Sequence, residues 1–206
     1  KEYLELKDGD EIQFIRFGYC RKESGHQVIF THKWWKMKIA RVIKEGKETF
    51  GLVNKDKIAI REDITFSTGI PIPLNIRDFI SDGWYEEIAP KINEIEFKHE
   101  ISEFEILAPL PNPNKIICLA FNYEDHAEEQ KLTPPKEPAI VNKPRTALIG
   151  TNSEIVCPKF VKELDYEIEL ALIIKKKCKN ISEEEAMDAI FGYMILNDVS
   201  ARDIQE

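Results

Sequence analysis

No stretch of the chain approaches the ~18 consecutive apolar residues that a membrane-spanning helix needs. Apolar runs such as Leu170–Ile174 are only strand length. Positive charge is not in excess either. The 29 Lys and Arg face 37 Asp and Glu, the net charge is −8 and the pI is near 5.2, which excludes a nucleic-acid-binding surface as the main function. The four cysteines, Cys20, Cys118, Cys157 and Cys178, lack CxxC or knuckle spacing, so neither a zinc ribbon nor a disulfide scaffold is expected. Also lacking are the GxGxxG and P-loop phosphate cradles, the GxSxG nucleophile elbow and the HExxH zinc helix. Lys1–Asp8 has no signal-peptide core. These absences predict reduced thiols, a cytoplasmic location, no membrane partner and no nucleic-acid partner.

The 206 residues, 43% of them apolar, suffice for one ordinary domain or two small ones. Glu11–Gly18 alternates in period 2, and Gln27–Thr31 follows after Ser24-Gly25, which predicts a hairpin. A small β meander is expected from Met37–Ile43, Thr49–Val53 and Lys57–Ile60, with turns at Glu45–Lys47 and Asn54–Asp56. Ile76–Ile80 with Trp84 and Ile88 has helical spacing behind an Asn75 cap. The proline-rich Leu107–Pro113 reads as a stiff linker, giving segments 1–36, 37–106 and 107–206. Beyond it the expected elements are strands at Lys115–Ala120, Ala139–Val141, Glu154–Val156, Glu167–Ile174 and Phe191–Leu196. A short polar helix through His126 and a second one opened by the Ser182–Glu185 capping box complete an α+β pattern.

Glu167 and Glu169, two apart on a strand, leave the same face with Cα atoms roughly 7 Å apart. That suits a shared cation, although an isolated Glu-x-Glu is ordinarily a solvated outer face. Tyr166, Ile168, Leu170 and Leu172 would form the apolar face, while Ala171 and Ile173 continue the carboxylate side. Asp198, at the end of the next strand, adds a third carboxylate, and an all-oxygen set suits Mg²⁺ or Mn²⁺. His126 and Glu129 stand at i and i+3, so the carboxylate can fix the ring tautomer and leave the other nitrogen as a general base; a surface helix pair is the alternative. Lys143, before Pro144, is either a substrate-binding cation or an exposed turn lysine, and Tyr123 is a further substrate-binding candidate. Arg202 is read either as a substrate contact or as a structural partner of Asp203 in a helix capped by Ser200. His26, His32 and His99 have no evident partners and are expected to be solvated.

Five phrases in order, Lys115–His126, Pro138–Pro144, Asp165–Ala171, Gly192-Tyr193 and Asn197–Asp203, resemble the catalytic domain of the fumarylacetoacetate hydrolase family. The small segment from Met37 is similar to the N-terminal extension of many members. The resemblance implies a mixed β-sheet roll after a small mainly-β domain. It implies Glu167, Glu169 and Asp198 as metal carboxylates, His126 with Glu129 as the water-activating dyad, Lys143 near the substrate, and a homodimer. The implied activity is metal-dependent C–C bond hydrolysis of an acylpyruvate-type 2-oxo acid. Decarboxylation of oxaloacetate, isomerisation and dehydration are the alternatives within the family. Members continue past the Ser-Ala-Arg-Asp phrase into a lysine segment and a Gly-Thr-Pro loop, so an incomplete catalytic domain is expected, with an inactive or poorly folded free chain as one outcome.

Asp10–Tyr19 resembles the C-terminal tail of archaeal-type glutamyl-tRNA synthetases. Trp34-Trp35 then precedes Met37, which fits two UGA stop codons translated as tryptophan between neighbouring genes. UGG at both codons in genomic DNA would sink that hypothesis in favour of a true fusion. Residues 1–36 hold 7 basic and 6 acidic side chains, too balanced for a tRNA-binding module.

Overall fold

The computed structural model describes the backbone of residues 11–14, 18–21 and 29–31, and both backbone and side chains of 37–120, 123 and 137–205. The chain is α+β and divides into two compact units, residues 1–109 with 150–206, and residues 110–149. Residues 150–206 therefore group with the first unit, whereas the sequence reading joins them to 107–149.

The first unit is built on an antiparallel sheet. β4 (Lys38–Lys44), β5 (Lys47–Asn54) and β6 (Lys57–Ile60) form the expected meander. Glu45 (φ 51°) and Gly46 (φ 75°) make the two-residue turn between β4 and β5, where both positions need the left-handed region of a primed turn. The register Ile39↔Leu52 and Ala40↔Gly51 separates two faces. Ala40, Val42, Val53 and Ile58 pack with Ile101 and Ile106 on one side. On the other, Phe50 meets Phe79 with ring centroids 5.2 Å apart. Both faces are covered, which explains the unbroken apolar run Phe50–Val53 in place of alternation.

Helix α1 (Arg61–Thr68) follows β6 directly. The expected single helix after Asn75 is two: α2 (Ile76–Ser81), and α3 (Trp84–Ile88) entered through Gly83 at φ 80°. Gly83, in the left-handed region, breaks the helical path between them. Asn75 does cap α2, its Oδ1 accepting from the Asp78 amide at 2.8 Å. β7 (His99–Glu100) pairs with β6, and β8 (Glu105–Ile106) pairs with β4.

The N-terminal hairpin differs from expectation. β1 (Glu11–Phe14) pairs with β2 (Gly18–Arg21), whereas β3 (Ile29–Thr31) lies between β4 and a strand from the far end of the chain. Trp34 and Trp35 lie outside the described residues. In the second unit β9 (Ile116–Ala120) and β10 (Ala139–Lys143) form an antiparallel pair with Leu119 opposite Ile140.

The rest of the first unit holds β11 (Leu164–Asp165), β12 (Ile168–Ile174), helix α4 (Glu183–Ala189), β13 (Ile190–Asn197) and β14 (Ser200–Ala201). β12 pairs with β13, and β13 joins the main sheet through β3. No strand forms at Glu154–Val156, where Val156 is 83% exposed. Ser200 is in a strand and caps no helix. The face of β12 carrying Tyr166, Ile168, Leu172 and Ile174 is the exposed one, and the carboxylate side is the one that runs into the core at Ile173. Among the described residues no helix is long and apolar enough to cross a membrane.

Candidate active site

Glu167 stands one residue before β12, and Asp198 one residue after β13. The pairing Ile168↔Asn197, continued by one step, sets Glu167 opposite Asp198, and the Asp198 amide donates to the Glu167 carbonyl at 2.8 Å. Residues opposite one another in an antiparallel pair share a face, and so do i and i+2 along a strand. Glu167, Glu169 and Asp198 therefore occupy one face at the open end of the β12–β13 ladder. Further in, the same face bears Ala171 and Met194, then Ile173. Three carboxylates here abut core and must be compensated.

Part of the compensation comes from within the chain. Ser200 Oγ donates to Glu167 Oε1 at 2.6 Å, and Arg202 Nη2 lies 3.3 Å from the same oxygen. Arg202 Nε donates to Asp165 Oδ2 at 2.9 Å. The hydrogen bond to Asp165, then the negative charge of Glu167, holds the guanidinium above the ordinary arginine range. Asn197 Oδ1 accepts from the Glu167 amide at 3.2 Å. Asp203, read as a partner of Arg202, instead accepts from the Lys162 amide at 2.9 Å and the Glu163 amide at 3.4 Å.

The donor set fits a hard divalent cation in kind, being all oxygen, and in register. The side chains themselves do not close around a point: among the described residues no three His, Cys, Asp or Glu form a group that would hold a metal ion. His126 and Glu129 lie outside the described residues.

Lys143 ends β10 in the second unit and lines a cleft of about 380 Å³. Lys115 and Arg145 contribute two further cations to that wall, and no carboxylate lines it among the described residues, so this wall favours an anion. Tyr123 is 42% exposed. His99, expected to be solvated, has its Nε2 3.0 Å from Asp63 Oδ2 and its ring edge-on to Phe104. His26 and His32 lie outside the described residues. Cys118, Cys157 and Cys178 form no disulfide.

Sequence reasoning missed Ser200 and Asn197 as partners of Glu167, and Asp165 as the partner of Arg202. Asn197 and Ser200 are 30 and 33 positions from Glu167, brought near it by the β12–β13 and β11–β14 pairings, and no local periodicity marks such contacts.

The family described as fumarylacetoacetate (FAA) hydrolase C-terminal matches residues 115–206. A mitochondrial oxaloacetate tautomerase of Xenopus laevis is 43% identical over 136 residues, covering 65% of this chain and 43% of the relative. An uncharacterised protein of Pyrococcus abyssi is 55% identical over 93 residues, covering 45% of this chain and 41% of the relative. The chain thus spans about two fifths of the length of these relatives. Among solved structures, the maleylpyruvate hydrolase of Sphingobium sp. SYK-6, in complex with manganese(II) and pyruvate, superposes with a TM-score of 0.62 at 30% identity, covering 80% of this chain and 59% of that one. The five sequence phrases, the α+β fold and these matches agree: residues 115–206 match the fumarylacetoacetate hydrolase family.

Proposed function

We propose that the chain carries the metal-binding part of an enzyme that cleaves the C–C bond of an acylpyruvate-type 2-oxo acid. The observation that carries this reading is the placement of Glu167, Glu169 and Asp198 on one face of the β12–β13 ladder. The three carboxylates would hold Mg²⁺ or Mn²⁺; the manganese bound by the Sphingobium hydrolase supports a divalent ion. Bound there, the ion would supply positive charge to the carboxylate and keto oxygens of the substrate and so stabilise the enolate released when the neighbouring C–C bond breaks. His126, oriented by Glu129, takes a proton from water, and the hydroxide adds to the acyl carbonyl. The C–C bond then breaks, its electron pair passes to the enolate, and a proton from solvent completes pyruvate. Lys143 binds a substrate carboxylate, in keeping with the three cations along its cleft. We further infer a homodimer.

A second reading is tautomerisation of oxaloacetate, favoured by the name of the Xenopus laevis relative at 43% identity. It passes through the enolate of oxaloacetate itself, a proton moving between carbon and oxygen while every C–C bond stays intact. Assays with an acylpyruvate and with oxaloacetate in Mg²⁺ separate the two: loss of the acylpyruvate absorbance supports cleavage, and enol–keto exchange of oxaloacetate alone supports the second reading. In either case Glu167→Gln is expected to lower turnover at least 100-fold, as loss of one metal carboxylate does when it guts a site. Turnover unchanged in that variant would remove the carboxylate face from the mechanism.

A further inference from the structure

Glu167 is held by one of its two carboxylate oxygens. The hydroxyl of Ser200, a residue only 7% exposed, donates to Oε1 at 2.6 Å, with the Asp198 carbonyl oxygen farther off at 3.4 Å, and Arg202 Nη2 lies 3.3 Å from Oε1. Among the described residues Oε2 takes no such bond. Neither holder is loose. Ser200 is fixed opposite Asp165 by the β11–β14 pairing. Arg202 is anchored at Nε by Asp165 (2.9 Å), at Nη1 by Gln205 Oε1 (2.8 Å) and at its backbone amide by the Glu163 carbonyl (2.8 Å). All three guanidinium nitrogens thus face protein acceptors, which fixes the plane of the group beside Glu167.

Each carboxylate oxygen offers about two lone-pair sites. With both directions on Oε1 engaged, rotation about the terminal torsion of Glu167 is blocked and Oε2 has one fixed aim. We propose that Ser200 and Arg202 are positioning residues for Glu167: they saturate Oε1 and leave Oε2 as the single oxygen through which this side chain takes a divalent cation. The inference rests on Glu167 being a metal ligand. One holder is charged and the other is not. Arg202 orients the carboxylate but repels a cation, so its removal mixes gain with loss. Ser200 is neutral, and its removal reads positioning alone.

The test is a Mn²⁺ titration of the full chain, followed by the electron paramagnetic resonance signal of free Mn²⁺, with far-UV circular dichroism as the check on folding. Ser200→Ala is expected to weaken Mn²⁺ binding about 10–100-fold, the usual cost of losing a partner behind a ligand. Ser200→Thr keeps the hydroxyl and is expected to restore binding close to that of the wild type. Glu167→Gln is expected to lose it. If Ser200→Ala binds as the wild type does while Glu167→Gln fails, the positioning role is overturned and the ligand stands. If Glu167→Gln binds unchanged, or the wild type binds no Mn²⁺, the ligand reading falls and takes the positioning role with it. Should Ser200→Ala not fold, Ser200→Cys, similar in volume with a weaker donor, replaces it; it is expected to bind more weakly than the wild type, and equal binding overturns the proposal.

Discussion

Gly51 lies in the middle of β5, between Ala40 of β4 and Ile60 of β6. A Cβ there would stand 2.3 Å from the Ala59 carbonyl oxygen, an atom fixed by its own sheet pairing. The backbone must move to admit it, so Gly51→Ala is expected to cost about 1–3 kcal/mol, the range for overpacked cores, read as a fall in denaturation midpoint at unchanged slope. Nothing around Gly51 in the sequence announces this, because the crowding comes from a neighbouring strand. The same distinction runs through the site. Glu167 and Glu169 were legible because period 2 is a property of one strand, and Asp198 because it ends the next. Ser200 and Arg202 were visible as residues but not as holders of Glu167, since the contacts depend on strand pairing and not on spacing. His99 was misread for the same reason: its partner Asp63 is 36 positions away.

Elements were legible where a local signal sets their ends. Ser182 and Glu185 form the expected reciprocal box at α4: the Glu185 amide donates to Ser182 Oγ at 3.2 Å, and the Ser182 amide to Glu185 Oε2 at 2.8 Å. Helix α4 has seven residues and only Ala189 buried, so packing contributes little and the cap carries much of its stability. Ser182→Ala is expected to cost about 1 kcal/mol and to speed amide hydrogen exchange in Glu183–Ala189 more than in β13, measured by mass spectrometry. Equal acceleration in both would mean that the cap stabilises the whole unit and not the helix. Helix α1 escaped notice because its signals are weak. It starts at Ile60 with no capping side chain, although Asp63 reaches back to the Ile60 amide at 3.1 Å, and its Phe66 is 82% exposed, which spoils the apolar period. Glu154–Val156 shows the opposite error: an apolar pair resembles a strand, but a strand needs a neighbour to pair with.

At the scale of the molecule, the α+β class followed from mixed periods, and the family from five phrases in order, yet the joining of distant segments did not. Residues 84–88 and 190–197 meet in the first unit at Tyr85, whose ring lies edge-on to Phe191 at a centroid distance of 4.9 Å, with Lys175 Nζ 5.7 Å from its centre. Burial of the ring, then the hydrogen bond its hydroxyl donates to Glu86, pushes the Tyr85 pKa up to about 12. An unfolded tyrosine ionises near 10. Between those two values the unfolded chain releases a proton that the folded chain keeps, so the unfolded state binds fewer protons and stability falls as pH rises. Below pH 10 the contribution is fully present, and it is lost as pH climbs through 12. Tyr85→Phe keeps the ring and removes the proton. Its melting temperature is expected to track the wild type near pH 8 and to exceed it near pH 11, a comparison that thermal unfolding at the two pH values makes directly. Tyr85→Ala removes the ring as well and is expected to cost about 3–5 kcal/mol near pH 8, as large aromatic deletions from a core do, and less near pH 11, where the wild type has lost the phenol's contribution. Identical alkaline losses in Tyr85→Phe and the wild type would mean that the phenol at this junction is not what titrates, and the contact between the two segments would then rest on packing alone.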